Sequence, residues 1–252
     1  MNNSTQISFF DTQPISQIPD NIIPFPIQRK PHTQQRVSPI RDPEKVNQIY
    51  NTLLSSGRYG LRNATIFALQ LAIGRRTNDI LGMKISDVYN IKTNTPKSTI
   101  TVDEHKTGKT ARDLPLNSRT QSLLSEYIQT LKQKSPDSLL FPSQKRNPDG
   151  SQRPLNTKSL NEIYQITSQV FSPEDEMTHI SSYAARKTYG YNIYKTCMEE
   201  YNGMLPGTDI NALQYVQSVF NHESSMTTLR YIGAYDAPAN QLAEDIASQY
   251  NF

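Results

Sequence analysis

Asn221-His-Glu-Ser-Ser-Met-Thr-Thr-Leu-Arg-Tyr-Ile232 places His222 nine residues ahead of Tyr231. A tyrosine hydroxyl is a weak nucleophile until its target, such as a phosphate, is made electrophilic by neighbouring charge. The stretch therefore gains meaning only if cationic groups elsewhere in the chain can be brought to it. Three further segments, far apart in sequence, offer such groups.

The first is Gly74-Arg-Arg-Thr-Asn-Asp-Ile-Leu81, directly after an apolar run. An arginine opening a helix three residues before Asp79 can be held by that carboxylate at helical spacing. Its fork then faces outward, free to grip a phosphate through two parallel hydrogen bonds. The second is Lys106 in His-Lys-Thr-Gly-Lys-Thr-Ala-Arg, a turn between two strand-like stretches. The third is Tyr183-Ala-Ala-Arg-Lys-Thr-Tyr-Gly-Tyr191, which carries Arg186 in an otherwise half-buried helical pattern. Taken singly, each is what an ordinary helix or turn also shows.

In this order and spacing the four segments resemble the tyrosine recombinase (phage integrase) family, in its bacterial and mobile-element branch. That family carries an arginine in a segment like TGLRxxE, a lysine on a β-hairpin, an HxxR segment, and a GHxS segment with the nucleophilic tyrosine nine residues after its histidine. Arg76 and Asp79 match the first, Lys106 the second, Arg186 the third, and His222 with Tyr231 the fourth. The resemblance spans about residues 42–235. It implies the recombinase catalytic-domain fold and a site-specific DNA recombinase that cleaves and rejoins strands through a 3′-phosphotyrosyl intermediate. Arg76 and Arg186 would clamp the phosphate, His222 would add a hydrogen bond, Lys106 would protonate the leaving 5′-oxygen, and Tyr231 would attack. Asp79 and Lys187 would support them. The implied partners are double-stranded DNA, further copies of the chain on that DNA, and an accessory DNA-binding protein. The chemistry implies neither ATP, metal nor any other cofactor. Two rival functions share these residues: a DNA-binding accessory protein weakened in catalysis, and relaxation of DNA by a type IB topoisomerase.

The sequence departs from the family pattern in three places. Arg75 stands beside Arg76 where an apolar residue is usual, and the spacing to Asp79 favours Arg76 as the catalytic one. Asn221 stands where glycine is commoner. Tyr183 replaces the histidine of HxxR, and His179 lies seven residues before Arg186 rather than three. Tyr183 remains a catalytic candidate that can donate a hydrogen bond through its hydroxyl, but with a reference pKa of about 10 it is a poor general base at neutral pH. Tyr191 and Tyr235 are rival nucleophiles; Tyr191 is expected to pack on its helix, and Tyr235 lies beyond the family spacing.

The remaining sequence sets these segments in an expected mainly α fold with one small antiparallel β-sheet (α+β). Asp42-Pro43 reads as an N-cap followed by proline in the first turn, and Val46, Ile49, Tyr50, Leu53 and Leu54 recur at helical spacing. Leu61 to Ile73 is apolar nearly all round, which predicts a buried helix. Thr99 to Asp103 alternates as a strand, with Arg112 to Leu116 pairing back on it. An amphipathic helix runs through Leu123, Tyr127 and Leu131, a loop spans Ser143 to Pro154, and further helices are expected near 156–170, 183–197, 208–221 and 238–248. Residues 1–41, with six prolines, read as a disordered arm whose Arg29, Lys30, Arg36 and Arg41 could touch phosphates. Residues 42–235 form the expected catalytic domain and 236–252 a C-terminal helix or tail able to pack on a neighbouring protomer.

Composition narrows the function classes. Hydrophobic residues make up 35% of 252, with a mean hydropathy of −0.63. The net charge of +3 suits nucleic acid without demanding it. One cysteine, Cys197, allows no intrachain disulfide, and four histidines show no metal-ligand spacing. No apolar run approaches a membrane span. These features point to a soluble, cytoplasmic chain.

Overall fold

The computed structural model describes residues 37–106, 108–175 and 177–234. Its centre is helix α2 (Gly60–Ile73), which buries ten of its fourteen residues against α1 (Pro43–Leu54), α5 (Ser118–Thr130) and α7 (Ala184–Glu200). The all-round apolar pattern of this stretch has that origin: no face is left for water. The helix stops at Gly74, whose φ of 59° is left-handed. A Cβ there would lie 2.2 Å from the Tyr189 ring, so glycine serves both the turn and the close approach of α7.

Asp42 caps α1 as expected, accepting from the Glu44 N–H at 2.8 Å. Order nevertheless begins earlier than the sequence suggested. Residues 37–41, expected to belong to the disordered arm, lie along α7. Ile40 is buried in the core and its N–H donates to Thr188 Oγ1 at 2.8 Å. The segment is too rich in proline for helix, but an extended strip needs only one apolar anchor and a partner for its backbone. Arg41, read as a possible phosphate contact, donates instead to the Gly233 carbonyl and lies over the Tyr191 ring.

Two short helices, α3 (Thr77–Leu81) and α4 (Ile85–Val88), lead into what are, among the described residues, three two-stranded antiparallel sheets rather than the single sheet expected. These are β1 (Tyr89–Asn90) with β2 (Thr95–Pro96), β3 (Thr99–Asp103) with β4 (Thr110–Pro115), and β5 (Pro142–Arg146) with β6 (Gln152–Pro154). The last pair occupies the stretch read as a loop. Its turn residues concealed short strands whose side chains are largely exposed and so carry no apolar alternation. Helix α6 (Thr157–Tyr164) passes into a 3-10 turn over Gln165–Val170, where one α-helix was expected.

Helices α7, α8 (Ala212–Phe220) and α9 (Ser225–Ile232) enclose a second, smaller core of Val216, Val219, Phe220 and Ile232. Gly190 permits this packing, since a Cβ there would fall 2.7 Å from the Phe220 ring. Ser224 caps α9, accepting from Thr227 N–H. The expected helix at 238–248, the tail at 236–252 and most of the arm lie outside the described residues.

Candidate active site

The C-terminus of α8 organises the site. Its last carbonyls have no partner within the helix, and the chain turns away at Asn221, whose φ of 54° and ψ of 49° are left-handed. Three guanidinium groups take up the exposed carbonyls. Arg75 Nη1 donates to Val219 O at 3.1 Å, Arg186 Nη2 to Phe220 O at 3.2 Å, and Arg76 Nη2 reaches Phe220 O at 3.5 Å. Cations at the negative end of a helix dipole are favourably placed. Arg186 also donates from Nη1 to Gly74 O at 2.7 Å, the carbonyl that ends α2, and stacks 4.2 Å from the Phe220 ring centre. One arginine thus ties together the ends of two helices.

The arginines differ in exposure. Arg186 is 4% and Arg75 5% exposed, whereas the Arg76 side chain retains 22%. Of the adjacent pair, Arg76 is the more exposed and Arg75 the more deeply buried. Arg76 is held differently from the sequence expectation. It precedes α3 with extended backbone (φ −64°, ψ 145°), so helical spacing does not carry it over Asp79. Asp79 Oδ1 instead accepts the backbone N–H of His105 at 3.0 Å. The carboxylate between the two arginines is Glu104, 4% exposed, which accepts from Arg75 Nη1 at 3.0 Å and closely from Arg76 Nη1. Burial lowers the Arg186 pKa; Tyr231 opposes this, Arg76 and Arg75 add to it, and Glu104 opposes it.

His222 follows Asn221 directly and meets Tyr231 of α9 ring to ring, with centroids 5.0 Å apart. Both pack edge-on against Phe220. His222 Nδ1 is hydrogen-bonded to Thr228 Oγ1 at 3.1 Å. Burial, then the charges of Arg186 and Arg76, push its pKa down to about 4, so the ring is neutral at pH 7. Burial raises the Tyr231 hydroxyl, and Arg186 pulls it the other way. Lys187 Nζ lies 4.8 Å over the Tyr231 ring and donates to Val37 O at 2.6 Å. Tyr183, 47% exposed at the N-cap of α7, stands close enough to Tyr231 to raise its pKa further. Tyr191 packs against the smaller core beneath Arg41. Tyr235 lies outside the described residues.

Lys106 is exposed on the turn between β3 and β4. That turn is fastened to the rest of the site at several points. Lys109 Nζ donates to Asn221 Oδ1 at 2.6 Å and His105 N–H to Asp79 Oδ1, while Glu104 N–H closes the turn on itself by donating to Lys109 O at 2.8 Å. The structure therefore brings Arg76, Arg186, His222 and Tyr231 together, with Tyr183 and Lys187 alongside and Lys106 on an adjoining turn. Sequence reasoning missed Glu104, Phe220 and Thr228. Glu104 was legible: the strand alternation buries Ile100, Val102 and next Glu104, and the extra arginine at position 75 calls for a counter-charge. Among the described residues, no group of three His, Cys, Asp or Glu side chains could hold a metal ion, and no helix is long and apolar enough to cross a membrane.

Comparison with known proteins gives a consistent result. The sequence model of the phage integrase family matches residues 41–237. A probable integrase/recombinase of Bacillus subtilis, YoeC, is 26% identical over 197 residues, covering 78% of this chain and 90% of that protein. Among solved structures, XerH site-specific recombinase in a post-cleavage complex with its difH substrate superposes with a TM-score of 0.54 at 19% identity. The alignment covers 84% of this chain and 54% of that one. XerA recombinase gives a TM-score of 0.52 at 14% identity, with 84% and 65% covered. The chain thus spans about half to two thirds of the length of these solved recombinases, and the likeness establishes the fold.

Proposed function

The chain belongs to the phage integrase family of tyrosine recombinases, a class that breaks and rejoins DNA, and on that premise we propose that it is a site-specific recombinase with Tyr231 as nucleophile. One observation carries the reading. Arg76, Arg186, His222 and Tyr231, from three segments far apart in sequence, converge around the C-terminus of α8.

In this reading a scissile phosphate of double-stranded DNA docks at the exposed edge of Arg76, with the Arg186 guanidinium behind it. The two cations spread the charge that builds on the non-bridging oxygens in the transition state. Because both are already held by helix-end carbonyls, little reorganisation accompanies binding. In the tautomer that carries its proton on Nε2, neutral His222 gives a third hydrogen bond. Tyr231 Oη attacks phosphorus as its proton passes to solvent, the bond to the 5′-oxygen breaks, and Lys106 supplies the proton to that oxygen. A 5′-hydroxyl from the partner strand then reverses the step and restores Tyr231. Tyr183 contributes a hydroxyl where a base is usual, Asp79 holds the turn of Lys106 through His105, and Lys187 braces the Tyr231 ring. Strand exchange needs more than one protomer on the DNA, and the reaction belongs in the cytoplasm.

The test uses a nicked duplex, built from DNA flanking the protein's own gene, on which cleavage traps a covalent adduct. Tyr231→Phe should abolish adducts while retarding the duplex in gels as the parent does. Adducts persisting in that variant refute the nucleophile. Binding without adducts in the parent itself favours the accessory-protein reading, and relaxation of supercoiled plasmid without recombinants favours a topoisomerase.

A further inference from the structure

Glu104 is a buried carboxylate with two jobs open to it. It could merely neutralise Arg75, or it could hold something in place. Its surroundings favour the second. Its two oxygens are divided between two adjacent arginines, Oε1 on Arg75 and Oε2 on Arg76. Its backbone closes the turn that carries Lys106: Glu104 N–H donates to Lys109 O at 2.8 Å, and Gly108 N–H donates to Glu104 O at 2.9 Å. The next residue, His105, is tied to Asp79. A counter-charge alone could sit on any wall of the site, whereas this one lies two residues from Lys106 on the same turn. The contact to Arg76 uses Nη1 and leaves its longest hydrogen bond, 3.5 Å, on Nη2. Nη2 is thus the less committed of the two nitrogens.

We propose that Glu104 is a positioning residue that sets the Lys106 turn against the arginine pair, so that protonation of the leaving 5′-oxygen depends on it. The proposal rests on Lys106 acting as the general acid. A lysine at a hairpin tip has four rotatable carbons and a mobile base, and proton transfer requires it within hydrogen-bond reach of one oxygen. Anchoring the turn to Arg76, which itself grips the phosphate, ties donor and substrate to one frame.

The experiment compares single-turnover cleavage of two nicked duplexes, one with the natural 5′-oxygen and one with sulfur at that bridging position. A thiolate departs without a proton, so the sulfur substrate removes the need for a general acid. Lys106→Ala should lose about 10²–10⁴-fold on oxygen and recover on sulfur. Glu104→Gln should lose about 10–100-fold on oxygen and likewise recover on sulfur, with duplex binding unchanged. Glu104→Asp keeps the charge, and so the fold, while shortening the reach; it should show the same sulfur recovery to a lesser degree. If Lys106→Ala recovers but both Glu104 variants stay equally slow on sulfur, Glu104 acts on the arginines alone and the proposal is overturned. Glu104 variants as fast as the parent on oxygen also overturn it. If Lys106→Ala fails to recover, the general-acid assignment falls, and the proposal with it.

Discussion

Replacing Arg186 with lysine separates the charge of this residue from its shape. The guanidinium donates through two nitrogens to two buried carbonyls, Gly74 O at 2.7 Å and Phe220 O at 3.2 Å. A lysine ammonium in the same 4%-exposed position can reach one of them but lacks the fork to reach both. The positive charge stays, so the repulsion from Arg75 and Arg76 is unchanged and does not confuse the result. What is lost is one charge-assisted hydrogen bond to a carbonyl that water cannot reach, costing about 1.5–3 kcal/mol. For a domain of this size that lowers the melting temperature by about 3–12 °C. Adduct formation should fall by about 10²–10³-fold, because the donors facing the phosphate lose their fixed geometry. Thermal unfolding followed by circular dichroism, with adduct formation on the nicked duplex, measures both. An Arg186→Lys protein that melts with the parent would show that the fork does not fasten α2 to α8. The site would then have to be rebuilt around some other support.

Two further predictions concern the turn beside His222. Asn221 is left-handed and accepts from Lys109 through its side chain. Asn221→Gly should therefore stay within about 0.5 kcal/mol of the parent, while Asn221→Ala should lose about 1–2 kcal/mol to the left-handed backbone; equal unfolding midpoints in urea would contradict this. His222 titrates near 4 in the folded chain against 6.5 when free. The folded state thus binds fewer protons than the unfolded state in that window, so stability is complete above pH 6.5 and declines as pH falls toward 4. At about 1.36 kcal/mol per unit the full shift is about 3 kcal/mol, and solvent screening of the half-exposed ring leaves about 1–2 kcal/mol. Urea unfolding across that range should show the decline in the parent and a flatter profile in His222→Gln; parallel profiles would place the effect elsewhere.

What could be read from sequence was whatever depends on local period and spacing. The buried helix α2, the β3–β4 hairpin and the Asp42 cap follow from patterns a few residues long, and they formed where expected. The distance from His222 to Tyr231 became one turn and one short helix. What failed was pairing inferred from spacing alone. Arg76 was matched to Asp79 as though both rode one helix, but the left-handed Gly74 delivers Arg76 in extended form. Its partner came instead from the turn after β3, 28 residues away. Residues 37–41 were misjudged for a related reason: proline content predicts the absence of helix, which differs from the absence of packing. The departure at Asn221, odd in sequence, is explained by a backbone angle that glycine and asparagine tolerate best.

That strip at residues 37–41 has a mechanical side. It grips α7 through Ile40 and Thr188, reaches Gly233 just past α9 through Arg41, and meets Lys187 at Val37. Lys187 in turn lies on the Tyr231 ring. Displacing the strip would thus disturb α7 and the helix that carries Tyr231 together. The strip is a shared strut: it is seated in the core through Ile40 and braces the Tyr231 ring through Val37 and Lys187, so the two cannot loosen independently.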